Sequence, residues 1–130
     1  LVRELGLKFP KMFISFMTFI HTVDKYEYFE ERGDHADEME TSLMLHLQPK
    51  LILPREKWGD GKVKKYKIKA LKEGWAWAER KWSQVSEDTG VGNPHKASKE
   101  KGKRYFTDVT RKTANFLVGL CNADLDDLYE

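Results

Sequence analysis

Apolar residues gather in three stretches with different periods. Between Lys11 and Asp24, Met12, Phe13, Ile14, Phe16, Met17, Phe19 and Ile20 follow one another with no polar side. A run apolar on both faces suits a central strand covered by helices, and its aromatic and β-branched content favours strand over helix. From Asp34 to Leu47 the step changes to three and four: Ala36, Met39, Leu43, Met44 and Leu47. That spacing predicts an amphipathic helix, with Asp34 as its cap and Asp37 and Glu38 near the positive end of the dipole. Pro49 and Pro54 stop it and frame the short extended piece Leu51-Ile52-Leu53. From Ala97 to Cys121 a second long helix is predicted, with Tyr105, Phe106, Val109, Thr113, Phe116, Leu117 and Leu120 on its inner stripe.

Shorter signals fill the rest. Leu1 to Gly6 reads as the last turns of an amphipathic helix with Gly6 as its C-cap, which implies that the natural protein has residues before Leu1. His21 to Gly33 is a polar loop with Tyr26, Tyr28 and Phe29 as packing anchors. Trp58-Gly59-Asp60-Gly61 is a turn. Tyr66, Ile68 and Ala70 alternate with Lys65, Lys67 and Lys69, predicting a strand with one wet face, and a short strand is expected at Lys81 to Val85. Asp88 to Pro94 is a glycine-rich loop, and Asp124 to Glu130 an acidic tail with helical character. Strands mixed with amphipathic helices predict a layered α/β fold.

The chain has 130 residues, enough for one domain with a real core and no covalent staple. Charged residues make up 34%, yet 12% aromatic content argues against disorder. A net charge of +2 gives no global reason to bind nucleic acid. The lone Cys121 excludes a disulfide framework and a cysteine-rich zinc module, and fits a reducing cytoplasm. The apolar run Met12 to Ile20 is too short to span a bilayer, so no membrane role is expected.

Candidate chemistry concentrates in Gly33-Asp34-His35-Ala36-Asp37-Glu38-Met39-Glu40-Thr41-Ser42. Glu40 precedes Leu43, Met44 and Leu47 by three, four and seven residues, which puts a carboxylate on the apolar side of the helix. Left bare there it would cost several kcal/mol, so it calls for a metal, a cation or a dense set of hydrogen bonds. His35, at the helix start, can face a cleft and accept a proton there. The alternative for Glu40 is a place at the stripe's edge, reaching water, and for His35 a solvent-exposed cap. His21 follows the predicted strand, where α/β sites occur, but a lone loop histidine is commonly surface. His46 and His95 are expected to be exposed. Lys62, Lys64, Lys65, Lys67, Lys69 and Lys72, with Tyr66, Trp75 and Trp77 nearby, have the composition of a nucleic-acid surface. Their alternation favours a solvated edge-strand face, so no nucleic-acid partner is expected. The loop Gly90-Val91-Gly92-Asn93-Pro94 lacks the Gly-Lys-Ser/Thr ending of a phosphate loop.

His35-Ala36-Asp37-Glu38-Met39-Glu40-Thr41-Ser42-Leu43-Met44-Leu45 resembles the His-Ala-Gly-x-x-Glu-Thr-Ser-x-Met-Leu signature of the creatininase (creatinine amidohydrolase) family. Thr89 to Pro94 and Ala97 to Gly102 are similar to that family's Gly-Val-x-Gly-Asp-Pro loop and to the Ala-Thr-x-Glu-Lys-Gly start of its last helix. The resemblance implies a three-layer creatininase-like α/β fold with a mixed sheet and flanking helices, usually a homo-hexamer. It implies hydrolysis of an amide, cyclic amide or formamide bond of a small molecule with a divalent metal, zinc, manganese or iron. His35 matches the catalytic histidine beside the metal-bound water. Glu40 matches the motif's acid at the metal centre, as a ligand or behind one. The family's Glu-x-x-x-His-type motif, the Asp soon after it, and its Asn-Gly-His-Gly-Gly-Asn segment do not occur here. The resemblance therefore implies that residues 1–130 are the C-terminal portion of one such domain. Most metal ligands would then come from the N-terminal half, and this chain alone would be nearly inactive. Glu31-Arg32-Gly33-Asp34 stands where creatinine-hydrolysing members carry a Trp-Asp pair, which points away from creatinine itself. The alternative is a non-catalytic, self-associating interaction module.

Overall fold

The computed structural model describes residues 1–129. Among the described residues five α-helices run in order: α1 (Val2–Lys8), α2 (Glu38–Leu47), α3 (Lys69–Glu73), α4 (Trp82–Val85) and α5 (Lys99–Asn122), with two 3-10 turns between α1 and α2 and two between α2 and α3. The chain sorts into two compact units, Lys25–Phe106 and a second made of Leu1–Asp24 with the chain from Thr107 onward.

In the unit Lys25–Phe106 the core is small and aromatic. Tyr105 is wholly buried, and Phe29 and Tyr28 stand edge-on to its ring at 5.2 and 5.3 Å between centroids. Met39 and Ala97 complete the buried apolar set. Helix α2 faces the start of α5 with small and polar side chains. A Cβ on Gly102 would lie 1.9 Å from the Ser42 carbonyl oxygen, so the two backbones meet where only glycine fits. The Ser42 hydroxyl donates to the Glu38 carbonyl (2.6 Å) and accepts from the Ser98 N–H (3.1 Å), tying α2 to the α5 entrance. The Ser98 hydroxyl in turn accepts from Lys101 N at the first turn of α5. The buried face of α2 is thus Glu38, Met39, Thr41 and Ser42, while Leu47 and Ala36, both placed on the apolar stripe by the spacing, are exposed.

Three boundaries differ from the sequence expectation. Asp37, not Asp34, caps α2: its carboxylate accepts from Glu40 N at 3.0 Å. Asp34 pairs instead with Arg80. Helix α1 runs through Gly6 and ends at Phe9. The acidic tail through Tyr129 forms a turn at Asp124, not a helix, and Glu130 lies outside the described residues.

The mixed sheet is not found: among the described residues there is no strand, only an isolated antiparallel bridge between His35 and Val91. A strand exists only when a neighbour takes its N–H and C=O groups. Among the described residues no strand pairs with Lys11–Asp24, which stays irregular apart from the 3-10 turn Phe19–His21, and Phe16 remains 78% exposed. The other two expected strands carry single tethers instead of a ladder. Lys64 N donates to the Val85 carbonyl, and the Tyr66 hydroxyl donates to the carbonyls of Ala78 and Glu79. Local helix propensity then wins, giving α3, closed by Gly74 at φ +84°, and α4.

Candidate active site

The start of α2 is held by three closures. First, the His35–Val91 bridge: Asp34 N and His35 N donate to the Val91 carbonyl (2.9 and 3.3 Å), and Val91 N donates to His35 (2.8 Å). The approach requires bare backbone: a Cβ on Gly92, at φ +115°, would sit 2.6 Å from Gly33 Cα. Second, Glu40 reaches back so that its carboxylate accepts from Ala36 N at 2.6 Å. With Asp37 accepting from Glu40 N, this makes a variant of the reciprocal box in which Glu40 holds the N–H of the residue before the cap. It also steadies Ala36 in the left-handed region at φ +48°, a conformation that costs a non-glycine residue about 1 kcal/mol or more.

The third closure is a pair of buried acids. Glu38 is wholly buried; one carboxylate oxygen accepts from the N–H groups of Glu30 and Glu31, both at 2.8 Å, and the other meets the Lys101 ammonium. The Glu38 carboxylate raises the Lys101 pKa above its ordinary value against the opposing effect of burial, and Glu30 adds to the rise. Asp37, equally buried, faces Lys25 at 3.5 Å, and Lys25 donates to the Gly33 carbonyl at 2.7 Å. Lys96 joins Glu30 and Glu31 at the rim. Residues 30–34 are therefore fastened at both ends before they deliver His35.

On this platform His35 Nδ1 stands 3.8 Å from Glu40 Oε2, with side chains 48% and 39% exposed. The His35 ring lies 5.0 Å from that of Trp82, the Arg80 guanidinium covers the same indole at 4.6 Å, and Arg80 makes two contacts to the Asp34 carboxylate, at 2.8 and 3.1 Å. The arrangement offers an accessible imidazole with a carboxylate beside it, able to orient the ring and to steady its protonated form.

The structure brings His35 and Glu40 together, but it does not bury Glu40 on the apolar face where the spacing put it: three residues of register separate Asp34 from the true cap, and Glu40 becomes a helix-start residue. Among the described residues no three His, Cys, Asp or Glu side chains converge to hold a metal ion. Glu40 has one oxygen committed to Ala36, so the residues present do not by themselves fit a metal. His21 is exposed and belongs to the other unit. His95 is exposed, its ring 5.8 Å from Trp58. His46, expected in solvent, is half-buried with a buried Nδ1 that has no hydrogen-bond partner, beside the Phe106 ring. Sequence reasoning missed Glu38, Lys101, Trp82 and Arg80. The Glu38-to-Ser42 step of four and the Glu100-Lys101-Gly102 triplet were the available signals for the first two.

The two halves of the sequence resemblance, around His35 and around Val91 to Gly102, thus form one physical node. The creatininase family, described as creatinine amidohydrolase, matches residues 1–117. This chain belongs to the creatininase family. Its structure is similar to the crystal structure of a candidate creatinine amidohydrolase from Bacteroides fragilis, at 38% identity and a TM-score of 0.89. That match takes in 99% of this chain and 50% of the other, so the chain spans about half the length of the protein it matches. The creatininase-like fold follows from this likeness, although no sheet forms among the residues described. No curated protein matches the chain. Among the described residues no helix is long and apolar enough to cross a membrane.

Proposed function

We propose that this creatininase-family chain is part of a metal-dependent amidohydrolase that cleaves a C–N bond of a small amide, cyclic amide or formamide. The observation that carries this reading is the His35–Glu40 pair at 3.8 Å, built on a strained turn and left open to solvent within a family member. His35 takes a proton from the attacking water and passes it to the departing nitrogen. Glu40 orients the imidazole and opposes the positive charge that forms on it. The divalent metal, zinc, manganese or iron, supplies polarisation of the carbonyl and a more acidic water when bound. The residues described in this chain do not hold it unaided. The homo-oligomer and a cytoplasmic location belong to the same proposal.

The test is release of amine from a panel of cyclic amides and formamides with zinc or manganese added. It is run on this chain alone and on the chain co-expressed with the part of the Bacteroides fragilis protein that it does not cover. Turnover is expected in the second format, falling about 10²–10⁴-fold on His35→Asn, the range of a lost general acid–base group. No turnover in either format, or turnover indifferent to His35→Asn, refutes the proposal. Calorimetric titration of the chain alone with zinc should show no stoichiometric micromolar site. Finding one overturns the expectation that most ligands come from elsewhere.

A further inference from the structure

The lysine-rich stretch that the proposed chemistry does not use lines a cavity. Lys64, Lys65, Tyr66 and Lys67 form one wall; Ala78, Glu79 and Lys81, with Gln84 and Val85 at the end of α4, form the other, flanking an open concavity of about 610 Å³. The walls are fixed to each other by backbone and by a part-buried side chain: Lys64 N donates to the Val85 carbonyl at 2.8 Å, and the Tyr66 hydroxyl donates to Ala78 and Glu79 at 3.1 and 3.0 Å. Tyr66 therefore holds the cavity open as a defined shape and is not free to fill it.

Charge sets this cavity apart. Lys62 and Lys69, on either side of the stretch, are paired with Asp60 and Glu73. Lys64, Lys65, Lys67 and Lys81 have no ion-pair partner among the described residues, and Glu79 is the single acid on the walls. Four ammonium groups against one carboxylate leave a local excess of three positive charges in a molecule whose total is +2. On a strand with one wet face, as the alternation suggested, such lysines would fan out into water. Here the strand is absent and the segment folds back on 78–85, so the same lysines flank one concavity. A concave surface lined mainly by one sign of charge focuses its field, and the screening length of about 8 Å at physiological salt exceeds the spacing of neighbouring side chains. Its volume lies in the range of about 300–1,000 Å³ seen for small-ligand sites.

We propose that this cavity binds a small phosphate-bearing anion carrying two or more negative charges. Lysines act here as mobile point charges on phosphate oxygens, which suits an anion recognised by charge more than by a planar fork. The exposed indole of Trp77, next to the wall residue Ala78, is 87% exposed and offers a stacking face if the phosphate is carried on a nucleoside. The inference is independent of the amidohydrolase proposal, because that chemistry assigns no role to any of the wall residues.

The experiment is calorimetry and tryptophan fluorescence of the chain with pyrophosphate, with adenosine diphosphate and with a single-stranded oligonucleotide, in about 150 mM salt. Saturable one-to-one binding of pyrophosphate is expected, weakened at least about tenfold in Lys64→Glu/Lys67→Glu and in the milder Lys65→Gln/Lys81→Gln, both with an unchanged helical circular-dichroism signal. Lys112→Glu, in the other unit, should leave affinity unchanged. Tighter binding of adenosine diphosphate than of pyrophosphate assigns a nucleotide as the source of the phosphate; equal binding assigns a free phosphate compound. Absence of saturation, equal affinity in the wall variants, or equal loss in Lys112→Glu overturns the proposal. So does an oligonucleotide that binds far more tightly than either small anion with a steep salt dependence, which marks an extended polyanion surface.

Discussion

Replacing Lys101 by Met tests whether the buried Glu38 carboxylate fastens the loop that delivers His35. Glu38 is wholly buried, and Lys101 is its only charged partner among the described residues. Two backbone donors would remain on the carboxylate after the change, so the charge would be solvated in part. Removing one member of a buried ion pair costs about 3–5 kcal/mol. The Lys101 side chain is 30% exposed and water can follow it in, which lowers the expectation to about 2–3 kcal/mol. Glu38→Gln keeps one acceptor for the Glu30 and Glu31 N–H groups and leaves Lys101 its contact to Glu30, so it should cost less, about 1–2 kcal/mol. The double variant should cost less than the sum by about 1–2 kcal/mol, the coupling expected of groups in direct contact.

Urea unfolding followed by tryptophan fluorescence is the assay, since all four tryptophans lie in the unit Lys25–Phe106. With a slope of about 1–3 kcal/mol per molar urea, Lys101→Met should lower the midpoint by about 1–2 M. Alkaline pH gives an independent reading. The Lys101 pKa is raised in the fold above its ordinary 10.5, so the stability it brings is complete below that pH and is lost as pH climbs through the folded value. Tyr105, its pKa raised above 10.0 by burial and by Asp37, loses stability in the same direction. Lys101→Met should therefore flatten the alkaline loss in part, and Tyr105→Phe should remove a separate part. A Lys101→Met protein within 0.5 kcal/mol of the parent (about the error of such comparisons), with the same alkaline limb, would show that the pair fastens nothing.

Two glycines of α5 should behave oppositely to alanine substitution. Gly102→Ala drives a Cβ to 1.9 Å from the Ser42 carbonyl and should destabilise by about 1–3 kcal/mol, whereas Gly119→Ala meets nothing within 4 Å and should stabilise by about 0.5–1 kcal/mol, both read by urea unfolding. Asp37→Ala removes the α2 cap and the partner of Lys25, and should cost about 1–2 kcal/mol by the same assay. The Ser86 hydroxyl and the Gly90 N–H hold the Asp88 carboxyl below its ordinary 3.8, so carboxyl titration by NMR should find it low in the parent and higher in Ser86→Ala. Because that pKa is depressed, the stability it brings is present above 3.8 and fades as pH falls through the folded value.

How far the sequence carries a reader depends on whether the partner of each residue is local. The long helix at Lys99–Asn122 was legible to within two residues at its start and one at its end, because its periodicity and its Ser98 cap lie in one stretch. The strand at Lys11–Asp24 was not, because an apolar run states only that its faces want cover, and the ladder that would make it a strand must come from elsewhere in the chain. The site shows the same division at finer scale. Asp34 and Asp37 are both good caps, three residues apart, and the pattern of apolar residues alone does not choose between them. Asp37-Glu38-Met39-Glu40 does, because a cap followed three residues later by Glu is the reciprocal box seen here, and it converts Glu40 from a buried acid into one that clamps the strained Ala36. Of the two buried acids, Glu38 is satisfied by Glu30, Glu31 and Lys101, none nearer than seven residues in sequence, and so carried no local mark. What unites these observations is the bridge between His35 and Val91. It joins two motifs that the chain keeps 56 residues apart, and it requires glycine at both 33 and 92. The precision of the imidazole therefore rests on bare backbone and buried charge around it more than on the carboxylate it faces.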